Sequence, residues 1–249
     1  MWGDYSGRPM STIDLDRATL SEDGFAIHRG LFDPDEMARV VDLIEAADAV
    51  NPHHDQLNQG AMRFASNLLP CSPDLQAWVT QPVLLDLVCE RLGPDVWVRW
   101  DQAVAKGPGA PLFPFHQDNG YSQVDFEHLQ VWIGLSPSDA DNGGLWLVPG
   151  SHRRQWTHAN DDGVVRVLAP TDDAICIPAE TGDVVLFSSH TVHATLPNVS
   201  DRLRWAYVVE YVSLEHFDPY LSPPYFVAAR GGVATPGFVD ELPGHPAAS

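Results

Sequence analysis

The sequence predicts a mainly β fold with flanking helices, in which an N-terminal helical layer packs against a β-sandwich. Three observations support this. Apolar residues recur every three or four positions in the first third of the chain, whereas from about residue 96 they alternate with other residues. The 19 glycines and 21 prolines are typical of many short strands joined by turns. The 249 residues suffice for one sizeable core, so we expect a single domain over residues 1–249.

Residues 13–94 form the predicted helical part. Asp33 can cap the first helix and Pro34 favours its first turn. A second helix begins at Ser72, also followed by proline, and a third ends at Gly93. The apolar face of the first helix comprises Met37, Val40, Val41, Ile44 and Ala47.

Residues 95–213 contain the predicted strands, because their apolar residues follow a period of two. Val96, Val98 and Trp100 are expected on one face of the first strand. Further strands with this period cover 129–135, 184–189 and 204–211. The tail, residues 214–249, is rich in proline and glycine without a period, so it is expected either to cover a pocket or to wrap loosely around the domain.

The charge of the chain excludes several classes of partner. A formal charge of −20 argues against nucleic acid and against anionic membrane surfaces, because both require clustered cations. No stretch approaches the roughly 20 apolar residues of a membrane span, and no secretory signal is visible. Three cysteines without a C-x-x-C pair argue against a disulfide framework and a thiolate zinc site. We therefore expect a cytoplasmic protein that acts on a small molecule, with its oligomeric state left open.

The tripeptide His116-Gln117-Asp118 is the first candidate for chemistry. If it lies in a strand, residues i and i+2 point the same way, roughly 6–7 Å apart at Cα, so His116 and Asp118 can share one metal ion. One imidazole, one carboxylate and a distant histidine form the facial triad of non-haem Fe(II) oxygenases. On its own the tripeptide is weak evidence, because a histidine near an acid is commonly structural.

A second segment, from Gly182 to Arg204, supplies two candidates for the third ligand. His190 continues the alternation of the preceding strand and His193 follows three residues later, so the periodicity leaves both open. Arg204 begins a strand whose face is otherwise apolar, and an inward arginine there requires an anionic partner. That partner is either a dicarboxylate ligand or one of the many acidic residues of the chain.

Three motifs in this order resemble the phytanoyl-CoA dioxygenase family over roughly residues 20–212: His116-Gln117-Asp118, the run Asn142–His152, and His193 followed by Asn198, Ser200 and Arg204. The resemblance implies a double-stranded β-helix, the cupin-like jelly roll. It also implies an enzyme that uses Fe(II), 2-oxoglutarate and O2.

The resemblance also implies the metal ligands. His116, Asp118 and His193 match the family's triad, because the distal histidine of the family precedes its motif arginine by the spacing of His193. His190 then supports a ligand or lies in the core. The aspartate at position 118 leaves no place for chloride as in related halogenases, which favours oxidation over halogenation. Ala194 replaces the family's usual glycine, a minor departure.

The co-substrate residues follow from the same resemblance. Arg204 matches the residue that binds the distal carboxylate of 2-oxoglutarate, and Trp132 and Thr195 match positions that help to hold the co-substrate. Lys106 lies where some members place a cationic contact. His152 is interpreted as structural.

The substrate is less well determined than the reaction class. The polar segment between Asn51 and Pro70 favours a polar metabolite, possible examples being a glycoside or an amino-acid derivative, although a solvated loop explains it equally well. Fatty acyl-CoA is disfavoured because no basic cluster is evident. By analogy with related enzymes we expect hydroxylation, or oxidative ring or C–O bond formation, in specialised-metabolite biosynthesis of the antibiotic type. The alternative is a non-oxygenase metal-binding cupin, an isomerase or a ligand-binding module.

Overall fold

The computed structural model describes residues 13–52, 61–122, 124–169 and 171–243. The α-helices are α1 (Pro34–Ala49), α2 (Pro73–Val79) and α3 (Pro82–Leu92). The strands are β1 (Phe25–His28), β2 (Met62–Ser66), β3 (Val96–Lys106), β4 (Phe113–His116), β5 (Leu129–Gly134), β6 (Leu145–Leu147), β7 (His158–Asp161), β8 (Val164–Val167), β9 (Ile175–Ile177), β10 (Val184–Ser188), β11 (His193–Thr195), β12 (Arg204–Ser213), β13 (Tyr225–Arg230) and β14 (Val233–Val239).

The helix boundaries follow from local chemistry. The Asp33 carboxylate accepts a hydrogen bond from the amide of Glu36 at 2.8 Å, and Ser72 Oγ accepts from the amide of Leu75 at 3.1 Å. Gly93 ends α3 with φ of +90°. These predicted helix ends are therefore confirmed. No described helix is long and apolar enough to cross a membrane.

Two antiparallel sheets form the sandwich. The major sheet has the order β1-β10-β5-β12-β3-β13-β14, and β2 also pairs with β3. The minor sheet has the order β4-β11-β6-β9, and β7 and β8 form a separate hairpin. Side chains of both sheets share one apolar core, in which Trp132 and Phe187 of the major sheet pack with Leu145 and Leu147 of the minor sheet. The jelly-roll prediction is confirmed.

Strands lie outside the predicted strand region at both ends of the chain. β1 and β2 fall within the part predicted to be helical, where β1 pairs with β10 and β2 with β3. In the tail, β13 and β14 extend the major sheet beyond β3. β13 is buried at nearly every position, so no alternation between apolar and polar residues marks it as a strand. Cys71, Cys89 and Cys176 are free thiols.

Alternate residues of the major sheet face two different environments. The helix-covered face packs against α1, α2 and α3 and comprises Val131, Ile133, Tyr207, Val209 and Tyr211, among others. The opposite face looks between the sheets and comprises Gln130, Trp132, Arg204, Val208 and Glu210. We call the first the helix face and the second the cavity face.

A β-bulge in β3 changes which face its residues occupy. Glu210 pairs with Trp100 and Tyr211 pairs with Val98, so Arg99 is the extra residue. Val96 and Val98 pack on the helix face, whereas Trp100 lines the cavity. The prediction that these three side chains share one face is therefore wrong for Trp100, because the bulge shifts the alternation by one residue. Arg99 and Trp100 both reach the cavity, which strict alternation forbids.

Candidate active site

Two strands of the minor sheet bring the candidate metal ligands together. His116 ends β4 and His193 begins β11, and the two residues are cross-strand partners with ring centroids 4.2 Å apart. Asp118 Oδ1 lies 3.5 Å from His116 Nε2 and 3.6 Å from His193 Nε2. The three ligand atoms all lie within 4.8 Å of one another, a spacing that can hold one metal ion.

Backbone carbonyls set the tautomers of both histidines. His116 Nδ1 lies 2.8 Å from the carbonyl oxygen of Pro114, and His193 Nδ1 lies 3.0 Å from that of Thr191. Because a carbonyl can only accept a hydrogen bond, each Nδ1 carries the proton and donates it. Each Nε2 is thereby left with a free lone pair facing Asp118, as metal-binding histidines require.

The charges of the three side chains suit a divalent cation. Burial and the neighbouring His116 lower the pKa of His193 to about 4, which keeps its ring neutral. Burial opposes ionisation of Asp118, but its pKa lies below the usual range because His193 and His116, when protonated, attract its carboxylate. Asp118 Oδ2 is buried and has no hydrogen-bond partner among the described residues. A bound cation would compensate this buried anion, so the donor set fits Fe(II).

The convergence of His116 and Asp118 does not arise as the sequence suggested. β4 ends at His116, and Asp118 opens the turn that follows, where its amide donates to the carbonyl of Ser189 at 3.0 Å. The expected strand geometry for the tripeptide is therefore wrong, although the side chains meet. His190 lies in the turn after β10, and its carbonyl accepts from the Gln117 side chain. The structure leaves His190 outside the cluster.

A cavity of about 520 Å³ opens above the three ligands, between the two sheets. Its polar wall includes Arg99, Gln102, Gln130, Arg204 and Glu210. Its apolar wall includes Met62, Phe64, Trp100, Phe113, Tyr121, Trp132, Val164, Phe187, Val208 and Leu221. An apolar pocket with a few convergent polar groups is typical of a small-molecule site.

Arg204 is the buried cation of this cavity. Its Nε donates to the carbonyl of Gly143 at 3.1 Å and its Nη1 to that of Val104 at 3.4 Å. Nη2 is buried without a hydrogen-bond partner among the described residues, and no carboxylate there pairs with the guanidinium. Burial lowers the pKa of Arg204 to about 10, so the group stays charged at neutral pH. The unpaired nitrogen fits one carboxylate of a bound dicarboxylate such as 2-oxoglutarate.

A comparison with known families agrees with this geometry. The family model described as phytanoyl-CoA dioxygenase matches residues 20–206. The chain belongs to the phytanoyl-CoA dioxygenase family. Members are non-haem iron oxygenases that depend on 2-oxoglutarate and O2, and the chain is an enzyme of that class.

Individual relatives are more distant. Methylphosphonate hydroxylase of Gimesia maris is 25% identical over 185 residues, which are 73% of this chain and 70% of that protein. The structure of the non-haem monooxygenase ThoJ superposes with a TM-score of 0.72 at 19% identity, covering 93% of this chain and 89% of that one. The epimerase SnoN, in complex with Fe3+, alpha-ketoglutarate and nogalamycin RO, gives a TM-score of 0.67 at 17% identity, covering 88% of this chain and 94% of that one.

The other family positions predicted to bind co-substrate occupy different places. Trp132 and Thr195 both line the cavity. Lys106 is buried outside the lining, and its Nζ donates to the carbonyls of Pro111 at 2.7 Å and Leu196 at 2.6 Å, and to Thr195 Oγ1 at 3.1 Å. Burial and the neighbouring Arg204 lower the pKa of Lys106 to about 7. Lys106 therefore holds the backbone beside Thr195 and lies behind the cavity wall.

The remaining family motifs shape the backbone around Arg204. Asn198 Nδ2 donates to the carbonyls of Lys106 and Arg202, and Asn198 Oδ1 accepts from Ser200. This turn leads the chain into β12 at Arg204. Gly143 has φ of +81°, and a Cβ there would lie 3.0 Å from the carbonyl oxygen of Leu196, so glycine permits its carbonyl to reach Arg204.

Sequence reasoning missed the polar residues at the far end of the cavity. Glu210 shares the inward face of β12 with Arg204, so the period of two contained a signal for it. Arg99 carried no such signal, because it reaches the cavity through the bulge. Residues 53–60 of the polar segment Asn51–Pro70, which was expected to wall the pocket, lie outside the described residues. In the described part of that segment, Met62 and Phe64 line the cavity, and both are apolar.

Proposed function

We propose that this protein oxidises an unactivated C–H bond of a small molecule, by hydroxylation or by oxidative ring or C–O bond formation, and converts 2-oxoglutarate to succinate and CO2. One observation carries the proposal. A His-Asp-His cluster and a buried arginine with an unpaired nitrogen line the same cavity. A metal ion and a dicarboxylate fit these two features together.

The proposed roles follow from the geometry. His116 Nε2, His193 Nε2 and Asp118 would hold Fe(II), and Arg204 would bind the distal carboxylate of 2-oxoglutarate. When bound, the iron and 2-oxoglutarate supply the oxidising power for C–H cleavage with O2. Thr195 and Trp132 flank the co-substrate. Lys106 acts as a positioning residue, because its ammonium holds Thr195 and the Leu196 carbonyl in place.

The chain's own residues also protect the reaction. Phe113 and Phe187 line the cavity around the histidines, and their rings lie 5.1 and 4.8 Å from the rings of His116 and His193. These apolar walls exclude water from the reacting atoms and strengthen the electrostatic interactions in the site. The presence of Asp118 supports oxidation over halogenation, since its carboxylate occupies the position that a halide would need.

The substrate class is proposed more coarsely. The cavity of about 520 Å³ suits a polar small molecule with an apolar frame rather than a long acyl chain. SnoN, which shares the fold, was crystallised with nogalamycin RO. This supports a role in specialised-metabolite biosynthesis of the antibiotic type, in which a glycoside is one candidate substrate.

Succinate release tests the proposed function. We expect wild-type protein with Fe(II), ascorbate, 2-oxoglutarate and air to release succinate slowly even without substrate. His116→Ala removes one of three ligands and is expected to reduce succinate to the rate without enzyme. His190→Ala is the matched control, because this histidine lies outside the cluster, and it should keep wild-type turnover.

A metal-binding cupin without oxygenase activity is the rival function. That protein would bind metal through His116, Asp118 and His193 but would give Arg204 no ligand. Failure of wild-type protein both to release succinate and to bind 2-oxoglutarate, combined with metal binding that His116→Ala abolishes, would contradict the proposal and support this rival.

A further inference from the structure

A cluster of ionisable side chains closes the end of the cavity away from Arg204. We call it the Glu210 cluster, and it comprises Arg99, His128, Glu210 and Asp218. Arg99 Nη1 lies 2.8 Å from Glu210 Oε2, and Arg99 Nε lies 2.7 Å from Asp218 Oδ2. His128 Nδ1 lies 3.3 Å from the same Glu210 Oε2. Arg99 and Glu210 line the cavity, while His128 and Asp218 are fully buried behind them.

Arg99 and Glu210 stabilise each other's charge within the cluster. The guanidinium of Arg99 is shared by two carboxylates, those of Glu210 and Asp218. Burial opposes the charge of Glu210, but His128 and Arg99 lower its pKa, so the carboxylate is ionised. Burial likewise opposes the charge of Arg99, but Glu210 and Asp218 raise its pKa. Arg99 and Glu210 are therefore both ionised in a poorly solvated place at the cavity end.

One oxygen of Glu210 is free to accept a ligand. Arg99 and His128 both contact Oε2, and no described residue donates a hydrogen bond to Oε1. The Glu210 side chain is 12% exposed and borders the cavity. Its neighbours in the sheet, Trp100 and Gln130, line the cavity beside it. An acceptor that borders the cavity and has no donor among the described residues favours a ligand that donates a hydrogen bond to it.

Both arginines of the cavity wall have an anionic partner, either observed or assigned. Arg204 is assigned to 2-oxoglutarate, and Arg99 pairs with Glu210 through Nη1 and with Asp218 through Nε. Residues 53–60, which precede the cavity residues Met62 and Phe64, contain no lysine or arginine. Aromatic ring faces, such as those of Phe64 and Trp100, attract cations and repel anions.

We propose that Glu210 is the polar anchor of the substrate and that the substrate is an amine, whose ammonium group donates a hydrogen bond to Glu210 Oε1. The apolar frame of the amine packs against the aromatic wall, with its reacting carbon turned toward His116, Asp118 and His193. This inference rests on the proposed function and names the substrate class for it.

Three probes with one carbon frame test the anchor: benzylamine, benzyl alcohol and benzoate. Each is titrated calorimetrically into anaerobic protein loaded with Fe(II) and 2-oxoglutarate. We expect wild-type protein to bind benzylamine about tenfold more tightly than either other probe, because only the ammonium forms a charge-assisted hydrogen bond. Glu210→Gln keeps the shape and removes the charge, so the preference should fall to within about twofold.

Controls separate the anchor from the fold and from the proposed function. Glu215→Gln removes the same charge at an exposed position and should leave the preference unchanged. Glu210→Asp keeps the charge and should retain a preference for benzylamine even if Glu210→Gln fails to fold in thermal melts. If 2-oxoglutarate itself does not bind, the proposed function fails, and the three probes are then compared on protein loaded with Fe(II) alone.

Three results would overturn the anchor. The first is equal affinity of wild-type protein for the three probes, or tighter binding of benzoate or benzyl alcohol. The second is an absence of benzylamine binding to protein that binds 2-oxoglutarate normally. The third is a benzylamine preference that survives unchanged in folded Glu210→Gln.

Discussion

The two faces of the major sheet use the same strands for different purposes. On the helix face, Tyr207, Val209 and Tyr211 pack against α-helices, and their polar atoms are paired: the Tyr207 hydroxyl donates to Asp101 and the Tyr211 hydroxyl to the Val79 carbonyl. On the cavity face of the same strand, Arg204 keeps a buried nitrogen without a partner among the described residues. Adjacent residues of β12 therefore have different roles. Those on the helix face stabilise the fold, and those on the cavity face are available to bind a ligand.

The difference between the faces shows where the structure accepts an energetic cost. A buried polar group without a hydrogen-bond partner costs free energy. On the helix face of β12, the buried hydroxyls of Tyr207 and Tyr211 both have such a partner. The cavity face keeps Arg204 charged and Asp118 ionised in a buried place. A ligand that binds there recovers that cost, so we expect variants of the cavity face to change binding and variants of the helix face to change stability.

The largest expected effect is on the KM for 2-oxoglutarate, and it should appear when Arg204 is replaced but not when the exposed Arg202 is replaced. Arg204→Ala should raise the KM for 2-oxoglutarate at least about 30-fold, since truncating one partner of a buried charge pair costs about 2–5 kcal/mol. Metal affinity should stay near the wild-type value. Arg202→Ala removes a cation that pairs with Asp139 on the surface and should leave the KM unchanged. Equal KM values in the two variants would contradict the role of Arg204.

The second prediction concerns the helix face, where the stability contributed by Asp101 should depend on pH. Asp101 accepts hydrogen bonds from the Leu68 amide and the Tyr207 hydroxyl, and burial raises its pKa from 3.8 to about 6. The folded chain therefore binds this proton more tightly than the unfolded chain. Its contribution to stability is complete below about pH 4 and is lost as the pH rises through about 6.

The variant Asp101→Asn cannot titrate at this position, so it is the reference for the pH dependence of wild-type stability. Between about pH 4 and pH 7, the free energy of unfolding of wild-type protein should fall by about 2 kcal/mol relative to the variant. Urea titrations at several pH values measure this difference. If the difference in unfolding free energy between wild type and Asp101→Asn stays constant across this range, the Asp101 carboxyl has the same pKa in the folded and unfolded chains, which would contradict the prediction.

The smallest effect concerns one hydroxyl of the helix face. Tyr211→Phe removes the donor to the Val79 carbonyl at the end of α2 and should lower the free energy of unfolding by about 1 kcal/mol. The KM for 2-oxoglutarate should not change. Any substantial rise in that KM would show that the two faces are coupled more strongly than the packing indicates.

Much of this arrangement could be predicted from the sequence because it depends on local patterns. Proline and capping residues mark the helix ends at Asp33 and Ser72, and the period of two marks β5, β10 and β12. Periodicity alone could not decide whether His190 or His193 is the third metal ligand. That choice depends on where β10 ends and on the pairing of β11 with β4. The resemblance to a family was needed to choose His193.

The remaining features depend on contacts between distant segments. The bulge at Arg99 arises from pairing of β3 with β12, more than 100 residues later, and no local pattern shows it. β13 is buried at nearly every position, so its residues lack alternation and resembled an unstructured tail. Asp218 lies in that tail, so the Glu210 cluster becomes visible only when the tail is placed beside β3.

The central claim is that one cavity holds a metal ion at His116, Asp118 and His193 and a dicarboxylate at Arg204. Calorimetric titration of 2-oxoglutarate into anaerobic wild-type protein, with and without Fe(II), tests it most directly, with Arg204→Ala measured alongside. We predict strong binding only when Fe(II) is present and Arg204 is intact, because the two ends of one ligand use both features. Equal binding by metal-free protein or by Arg204→Ala, or no binding by any of them, would contradict the claim.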